Sequence, residues 1–506
     1  MARLVCPPAD GLTLDVLCRH LGARPPEPAA ATTVTGVTHD ARRVSPGDLY
    51  LGLGGRRFHG ASFDGEAARR GAVAMVSDRF SPRLPTIAVT DPRAVAGTIS
   101  SLVYGHPSRR LPVLGVTGTN GKTTTAYLLD HLLRAAGDRV GRITTVDTVV
   151  GEQVEPSTLT TPEAADLQAT LAGMVDAGCD SAVVEVSSHG LALGRLEGTQ
   201  FAVGVFTNLG RDHYDFHGGS EAYFMTKASL FTRGSCAAGV VNVDDPAGRR
   251  LAAMGGCATT TVSGEGAPDA DWRVTRAEVN GASSRFTVVG PVGEISVDLP
   301  LSGAHNVHNA VAALAAAHLR GADVAEIADT LPEFPGVPGR LQLIDAGQPF
   351  AAMVDFAHNP DGLRVALRSL RAQVKGRMIV VFGAPGDRDR GKRPLMREVA
   401  AAEADVVIVT TDDPYGEVPE AIIGDIMAGA DLGRDGVDYY VEADRADAIA
   451  RAVQLASAGD GLLLAGRGHE TVQTFGAVGV PFDDREELRR ALLASSDDAG
   501  RSPPRS

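Results

Sequence analysis

Apolar residues in this chain gather in short unbroken runs more often than they alternate with polar ones. Val113-Leu-Gly-Val-Thr117, Ser181-Ala-Val-Val-Glu-Val186, Ala202-Val-Gly-Val-Phe206 and Ala238-Gly-Val-Val-Asn242 are apolar almost throughout, and helical segments separate them. Such runs read as strands buried on both faces, hence as a parallel sheet covered by helices on each side. Met378-Ile-Val-Val-Phe382, Val406-Val-Ile-Val409 and Leu462-Leu-Leu-Ala465 repeat the signature, with helices expected around 361–372 and 419–428. Near the start, residues 33–44 alternate like a strand, the turn Ser45-Pro-Gly-Asp48 follows, and Leu49-Tyr-Leu-Gly-Leu53 is a second strand. Residues 61–72 have helical spacing, and Ala72-Val-Ala-Met-Val76 is strand-like again. From Trp272 to Leu301 the pattern alternates, with Asn280-Gly281 as a hairpin turn. An Ala-rich helix then spans 306–319, and a Pro-rich stretch, 332–338, follows.

These shifts divide the chain into three α/β units. They are a small N-terminal one (1–108, with His106-Pro-Ser108 as exit linker), a large central one (109–338) and a C-terminal one (339–493). Residues 494–506 are rich in Ser, Asp, Pro and Arg and are expected to be a disordered tail. At 506 residues, two to four domains are expected.

Composition narrows the function. A net charge of −14 argues against a non-specific nucleic-acid binder, which needs a basic face. Cys6, Cys18, Cys179, Cys236 and Cys257 form no C-x-x-C pair and read as reduced thiols. The sequence shows neither a leader-like start nor a run of about twenty apolar residues. A cytoplasmic protein without membrane or nucleic-acid partners is expected, acting as a monomer.

The chemistry centres on Gly118-Thr-Asn-Gly-Lys-Thr-Thr124, which joins the strand ending at Thr117 to an amphipathic helix. Gly118 and Gly121 let the backbone turn its N–H groups onto a polyphosphate, and the helix N-terminus adds positive charge. Lys122 supplies an ammonium, and the Thr123 hydroxyl suits Mg²⁺. The G-x-x-x-x-G-K-[ST] pattern asks for Gly at 116, where Val116 stands. Glu185 ends a buried strand, where nucleotide-binding sheets hold Mg²⁺ or a water, and Ser187-Ser-His189 follows at the ligand-binding edge. After Val205-Phe-Thr-Asn208 come Asp212, His213, Asp215 and His217, able to ligate metal or contact substrate. Lys227 lies on an amphipathic helix. In the third unit Gly383-Ala-Pro-Gly-Asp-Arg-Asp-Arg-Gly-Lys-Arg393 suits an anion. Asp355-Phe-Ala-His-Asn-Pro360 and Gly466-Arg-Gly-His-Glu470 place further polar groups after strands. Reactive residues at strand ends of two domains suggest a cleft that closes on ATP and a second substrate.

Taken together, these motifs resemble the Mur ligases, ATP-dependent amide-forming enzymes of bacterial cell-wall synthesis. The likeness is nearest to the MurE branch, which adds the third amino acid to UDP-N-acetylmuramoyl-L-alanyl-D-glutamate. Its carriers, in order, are the phosphate loop; Thr160-Thr-Pro162; Glu185-Val-Ser-Ser-His-Gly-Leu191 with Arg195; and Phe206-Thr-Asn-Leu209 with Asp212-His213. Gly303 with Asn306-Val-His-Asn309, Gly339-Arg340, Asp355 to Pro360, Gly386-Asp-Arg-Asp389 and Gly466 to Glu470 complete the set. One such motif would be weak, but this many in one order over nearly the whole chain is strong.

The resemblance implies a UDP-binding first domain, a central P-loop ATPase and a Rossmann-like C-terminal domain that receives the amino acid. It implies ATP and Mg²⁺, with Gly118 to Thr124 around the phosphates and Lys122 holding them. Thr123, Glu185 and His213 would organise two Mg²⁺ ions, and Lys227 falls on the family's carbamylated lysine. Asn306, Arg340, Asp355 and His358 fall on ATP contacts, and Thr160, Thr161, Ser187 and Arg195 on contacts to the muramoyl-peptide. Arg388, Asp412, Asp413, Tyr415, Gly466 and Glu470 fall on the amino-acid site.

Three departures stand out. The uridine-site motif Asp-Ser-Arg reads Asp40-Ala-Arg42, and Leu193 stands where Gln is common. The Asp-Asn-Pro-Arg of diaminopimelate-adding members reads Asp412-Asp-Pro-Tyr415. Loss of the Arg fork tilts the expected amino acid towards L-lysine or another amine without a distal carboxylate. A MurE-like paralogue joining a different acid and amine is the alternative; a silent scaffold is disfavoured by the intact Lys122, Glu185, His213 and Lys227. A folate-adding ligase is disfavoured by the first domain and Thr160-Thr161.

Overall fold

The computed structural model describes residues 12–26, 29–55, 58–280, 283–429 and 436–500. Three sheets carry the chain. The first has four parallel strands, in the order 36–38, 48–51, 74–77 and 86–88. The helix expected over 61–72 is a short 3-10 turn at 60–63 followed by Asp64–Arg69. His106 has a positive φ of 54°, and the expected linker after it is a one-turn helix, Pro107–Arg110.

The central sheet has eleven strands. From edge to edge they are 153–156, 147–150, 140–143, 181–185, 113–117, 201–206, 236–242, 258–263, 272–279, 284–290 and 293–299. The middle of this order, 140–143 through 272–279, is parallel. The flanks are antiparallel ribbons. Strand 113–117 therefore lies between 181–185 and 201–206, so three carboxyl ends open side by side where open α/β sheets bind ligands. All five residues of 113–117 are buried, as the apolar run predicts. Val279 and Ser284 pair across the alternating stretch, while Gly281 of its predicted turn lies outside the described residues.

Helix Lys122–Ala135 buries Leu128, Leu129, Leu132 and Leu133 in a core shared with helix Ala304–Arg320. The second helix packs on small residues, its Ala310, Ala313 and Ala315–Ala317 fully buried, which lets backbones come close. Gly321, in the left-handed region, ends it by donating to Ala317 and His318 carbonyls.

The third sheet has six strands, ordered 342–343, 351–355, 461–465, 378–382, 406–409 and 438–441, parallel except at the first. The last helix runs Asp484–Gly500, so the tail expected from 494 begins inside a helix, and residues 501–506 lie outside the described residues. Buried Leu488 and Leu492, with Arg489–Glu486 and Arg490–Glu487 pairs one turn apart, explain the extension. Cys18, Cys179, Cys236 and Cys257 are free thiols, and Cys6 lies outside the described residues.

Candidate active site

The residues assigned to ATP, metal, muramoyl-peptide and amino-acid contacts line one cavity of about 1390 Å³, except Gly118; His217 and the Asp40-Ala-Arg42 motif do not line it. Gly118 sits behind the cavity wall and is held there sterically. Its φ is +150°, and a Cβ would stand 1.9 Å from Thr207 Oγ1. Gly121, at φ +84°, would bring a Cβ to 2.4 Å from Asn309 Oδ1. The two glycines thus let neighbouring side chains brace the loop. Asn208 contributes most: it accepts from the Asn120 N–H at 3.0 Å on Oδ1, its carbonyl accepts from the Thr119 N–H at 2.9 Å, and its Nδ2 donates to Asn120 O. The N–H groups that open the helix at Lys122 have no acceptor four residues back and no side-chain cap, which leaves an anion cradle.

Lys122 Nζ donates to Thr119 O at 2.9 Å, curling over the loop, and burial lowers its pKa. Thr123 Oγ1 donates to Glu185 Oε2 at 3.1 Å and accepts from Arg340 of the C-terminal domain at 2.9 Å. Glu185, 2 % exposed, also takes the Thr145 N–H on Oε2, and Oε1 accepts from no described residue. A hydroxyl beside a buried carboxylate at a sheet edge fits a hard divalent cation. His213, at a positive φ of 54°, has its pKa pushed to about 3 by burial, so its imidazole is neutral and able to ligate. Lys227 is 1 % exposed. Its Nζ donates to Gly118 O at 2.7 Å and lies 4.4 Å above the Tyr223 ring. Burial, then the Lys122 charge, depress its pKa far below an ordinary lysine's. His217 does not line the cavity; its ring packs against Tyr223 at 5.1 Å and His189 at 5.8 Å, and its Nε2 is buried without a hydrogen-bond partner among the described residues.

Three further contacts close the C-terminal domain on this loop. Asn359 Nδ2 reaches Asn120 Oδ1 at 3.4 Å, His469 Nε2 meets Thr145 O at 3.0 Å, and His358 Nε2 lies 3.7 Å from Asp212 Oδ2. Asp355 accepts from the Leu341 N–H at 2.7 Å and is held up in pKa by burial. Asn306 donates to Ser302 O and accepts from Asn309 Nδ2 at 3.1 Å, and Asn309 takes the Thr125 hydroxyl at 3.2 Å.

On the opposite wall Thr160 donates to Thr145 Oγ1 at 3.2 Å. Thr161 is fully buried, and its hydroxyl is committed to Glu185 O at 2.8 Å and the Ser187 N–H at 2.9 Å. The Ser187 hydroxyl caps the next helix through the Gly190 N–H. Arg195 donates to Thr161 O at 3.0 Å and pairs with Glu163 at 2.9 Å, and Glu163 also binds Arg93 of the first domain at 2.9 Å. Arg93 and Glu163 carried no motif signal beyond the charge after Thr160-Thr-Pro162.

The far end of the cavity is carboxylate-rich. Asp412, Asp413 and Glu470 bring ligand atoms within 4.8 Å of one another, the one such His/Cys/Asp/Glu group among the described residues. Arg467, fully buried, threads it: 2.8 Å to Asp413, 3.7 Å to Glu470 and 3.9 Å to Asp412. Asp412 Oδ2 is buried without a partner, and a Cβ on Gly466 would stand 2.6 Å from it. Burial, then the Asp412 charge, push Glu470 up to about 8. Three acids against one guanidinium leave an ammonium-seeking pocket. Beside it the Arg388 guanidinium stacks 5.1 Å over Tyr415, whose hydroxyl faces Asp413 at 3.4 Å.

Comparison with known proteins gives three matches to family models. These are the Mur ligase middle domain over residues 116–317, the glutamate ligase domain of Mur ligases over 339–468, and the catalytic domain of the Mur ligase family over 33–103. A UDP-N-acetylmuramoyl-L-alanyl-D-glutamate--2,6-diaminopimelate ligase of Streptomyces coelicolor is 46% identical over 485 residues, covering 94% of this chain and 95% of that protein. A ligase of the same name from Corynebacterium efficiens is 43% identical over 89% of this chain and 88% of its own. A solved structure of that name superposes with a TM-score of 0.66 at 31% identity, covering 96% of this chain and 99% of the other. The chain belongs to the Mur ligase family.

Proposed function

We propose that this protein is the ATP-dependent ligase that adds a diamino acid to UDP-N-acetylmuramoyl-L-alanyl-D-glutamate in cell-wall precursor synthesis. One observation carries the reading. A phosphate loop from the central domain and an ammonium-seeking pocket from the C-terminal domain face each other across a single cavity. The named relatives act, by their names, on that dipeptide and 2,6-diaminopimelate.

A carboxylate is a poor acylating agent. In this reading the D-Glu side-chain carboxylate takes the γ-phosphoryl group of ATP, and the amine then displaces phosphate from the acyl phosphate. Lys122 and the helix N–H groups hold the polyphosphate. Thr123, Glu185 and His213 would hold Mg²⁺, which neutralises phosphoryl charge when bound. Burial, then the nearby Lys122 charge, lower the pKa of Lys227, which favours the uncharged amine. That is the form that adds CO₂, and the carbamate so made would be a fourth, anionic ligand. Arg195 and Ser187 line the wall assigned to the muramoyl-peptide, and Asn306, Arg340, Asp355 and His358 the wall assigned to ATP. Closure of the C-terminal domain through Arg340, Asn359 and His469 excludes water from the acyl phosphate.

At the amino-acid end, Asp412 and Glu470 suit an ammonium. Tyr415 offers one neutral hydroxyl where an Arg fork would grip a distal carboxylate, so selection for diaminopimelate over lysine is weak. The protein is read as a monomer of the cytoplasm, where its nucleotide substrates are. Among the described residues no helix is long and apolar enough to cross a membrane. The test is purified protein with ATP, Mg²⁺ and the UDP-muramoyl-dipeptide against a panel of amino acids. A product heavier by one diamino acid less water is expected, with ADP; absence of product with every amino acid refutes the reading.

A further inference from the structure

Lys392 opens the helix Lys392–Glu403 of the C-terminal domain, and no side chain caps that helix at Gly391. Its side chain is 5 % exposed and lines the cavity. Yet among the described residues it makes no hydrogen bond or ion pair. The next residue gives the contrast. Arg393 is fully buried, and Glu417 at 2.9 Å and Asp425 at 2.7 Å compensate it, with Pro385 O accepting at 3.2 Å. Two successive buried cations thus differ in one respect: one has its counter-ions built in and the other has none in contact. A buried ammonium without a partner is costly, and a long flexible side chain would escape to water unless an anion is to meet it.

The acids that do act on Lys392 from a distance place it in the cavity. Asp212 belongs to the phosphate-loop end, beside His213 and His358, and Asp412 to the ammonium-seeking end; Asp389 and Arg388 are its other charged neighbours. Lys392 therefore shares the cavity lining with both ends and feels a carboxylate from each, in the space an activated carboxyl group has to occupy if both are in use.

We propose that Lys392 is a further catalytic residue, whose ammonium contacts the carbonyl oxygen of the acyl phosphate and stabilises the oxyanion formed when the amine attacks. The inference rests on the ligase reading above. In that step the nitrogen lone pair forms the C–N bond while the carbonyl π pair moves onto oxygen, facing Lys392. Collapse restores the C=O bond and breaks the bond to the phosphate oxygen, which leaves with its electron pair and carries off the surplus proton of the nitrogen. The uncapped helix N-terminus adds to the same positive potential. Because Lys392 arrives with the C-terminal domain, the cation is present only when the domains are closed.

The experiment compares wild type, Lys392→Met and Lys392→Arg in steady-state kinetics, borohydride trapping of the acyl phosphate and thermal melting. Lys392→Met is expected to lower kcat about 10²–10³-fold, as loss of an oxyanion donor does. KM for the amino acid should stay within about threefold. Acyl phosphate should still be trapped while amide product falls, and Lys392→Arg should recover part of the rate. Lys392→Met should melt no lower than wild type, since an uncompensated buried charge has gone. Near wild-type kcat would overturn the proposal. So would a loss confined to KM for the amino acid, which would place Lys392 on that substrate's carboxylate, or a lowered melting temperature accompanying inactivity in both variants. Wild type that forms neither amide nor trapped acyl phosphate would overturn the ligase reading, and this one with it.

Discussion

The two ends of the cavity solve opposite electrostatic problems with opposite means. At the phosphate loop, Lys122 and Lys227 crowd together with backbone N–H groups, and burial depresses both amines. At the other end, Asp412, Asp413 and Glu470 crowd around one Arg467, and burial raises the Glu470 carboxyl. Each end is strained in the direction that its partner relieves: a polyanion at the first, an ammonium at the second. The comparison teaches that a chain of net charge −14 can still bind a triphosphate, because the sign that matters is local. In the ligase reading it also gives domain closure a purpose, since each end offers groups suited to only one of the two reactants.

The sharpest way to break the comparison is to remove the charge at the phosphate end. Lys122→Ala is expected to lose about 10²–10³ in turnover, as removal of one stabilising donor does; near wild-type rates would discard the phosphate-loop assignment. Lys227 sharpens it further. Lys227→Ala should be inactive yet partly rescued by small carboxylates such as formate, and mass spectrometry of native wild type should find the CO₂ adduct. Full activity of the variant without any additive would sink the carbamate.

The opposite end predicts a selectivity effect. A charge-assisted hydrogen bond is worth about 1.5–3 kcal/mol, roughly ten- to hundredfold at 1.4 kcal/mol per decade. Tyr415→Arg should therefore raise preference for diaminopimelate over lysine by that factor in competition at equal concentration. If wild type already makes almost only the diaminopimelate product and the substitution changes little, Tyr415 is not the selector.

The smallest effect expected is on stability. Between its ordinary pKa near 4.5 and the folded value of about 8, Glu470 stays protonated in the fold while the unfolded chain ionises. Its contribution is thus complete below the lower value and is lost as pH rises through the higher one. Glu470→Gln should melt higher than wild type at pH 8 by on the order of a few degrees, with a smaller gap at pH 5. A gap that shrinks as pH rises would contradict the sign.

Much of this was legible in the residues. Uninterrupted apolar runs located strands 113–117, 181–185 and 378–382, because strands buried on both faces admit little else. The reactive residues were legible as motifs at the ends of those runs. What pattern could not reveal is which side chains find partners in space. Lys392 and Arg393 are adjacent and alike in sequence, and only the fold supplies Glu417 and Asp425 to one of them. By type and spacing His217 could ligate metal or contact substrate, and only the fold shows its ring packed against Tyr223 and His189 and absent from the cavity lining. The final helix was hidden by Ser and Asp residues whose helix is held by Leu488 and Leu492 packing earlier in it.

One labelling experiment bears directly on the central claim, that one end of the cavity activates the carboxylate that is amidated against the other. The UDP-muramoyl-dipeptide is prepared with ¹⁸O in the D-Glu side-chain carboxylate and turned over with ATP, Mg²⁺ and the preferred amino acid. Phosphate carrying one ¹⁸O for each amide formed is the expected result. Amide product accompanied by unlabelled phosphate would contradict the account.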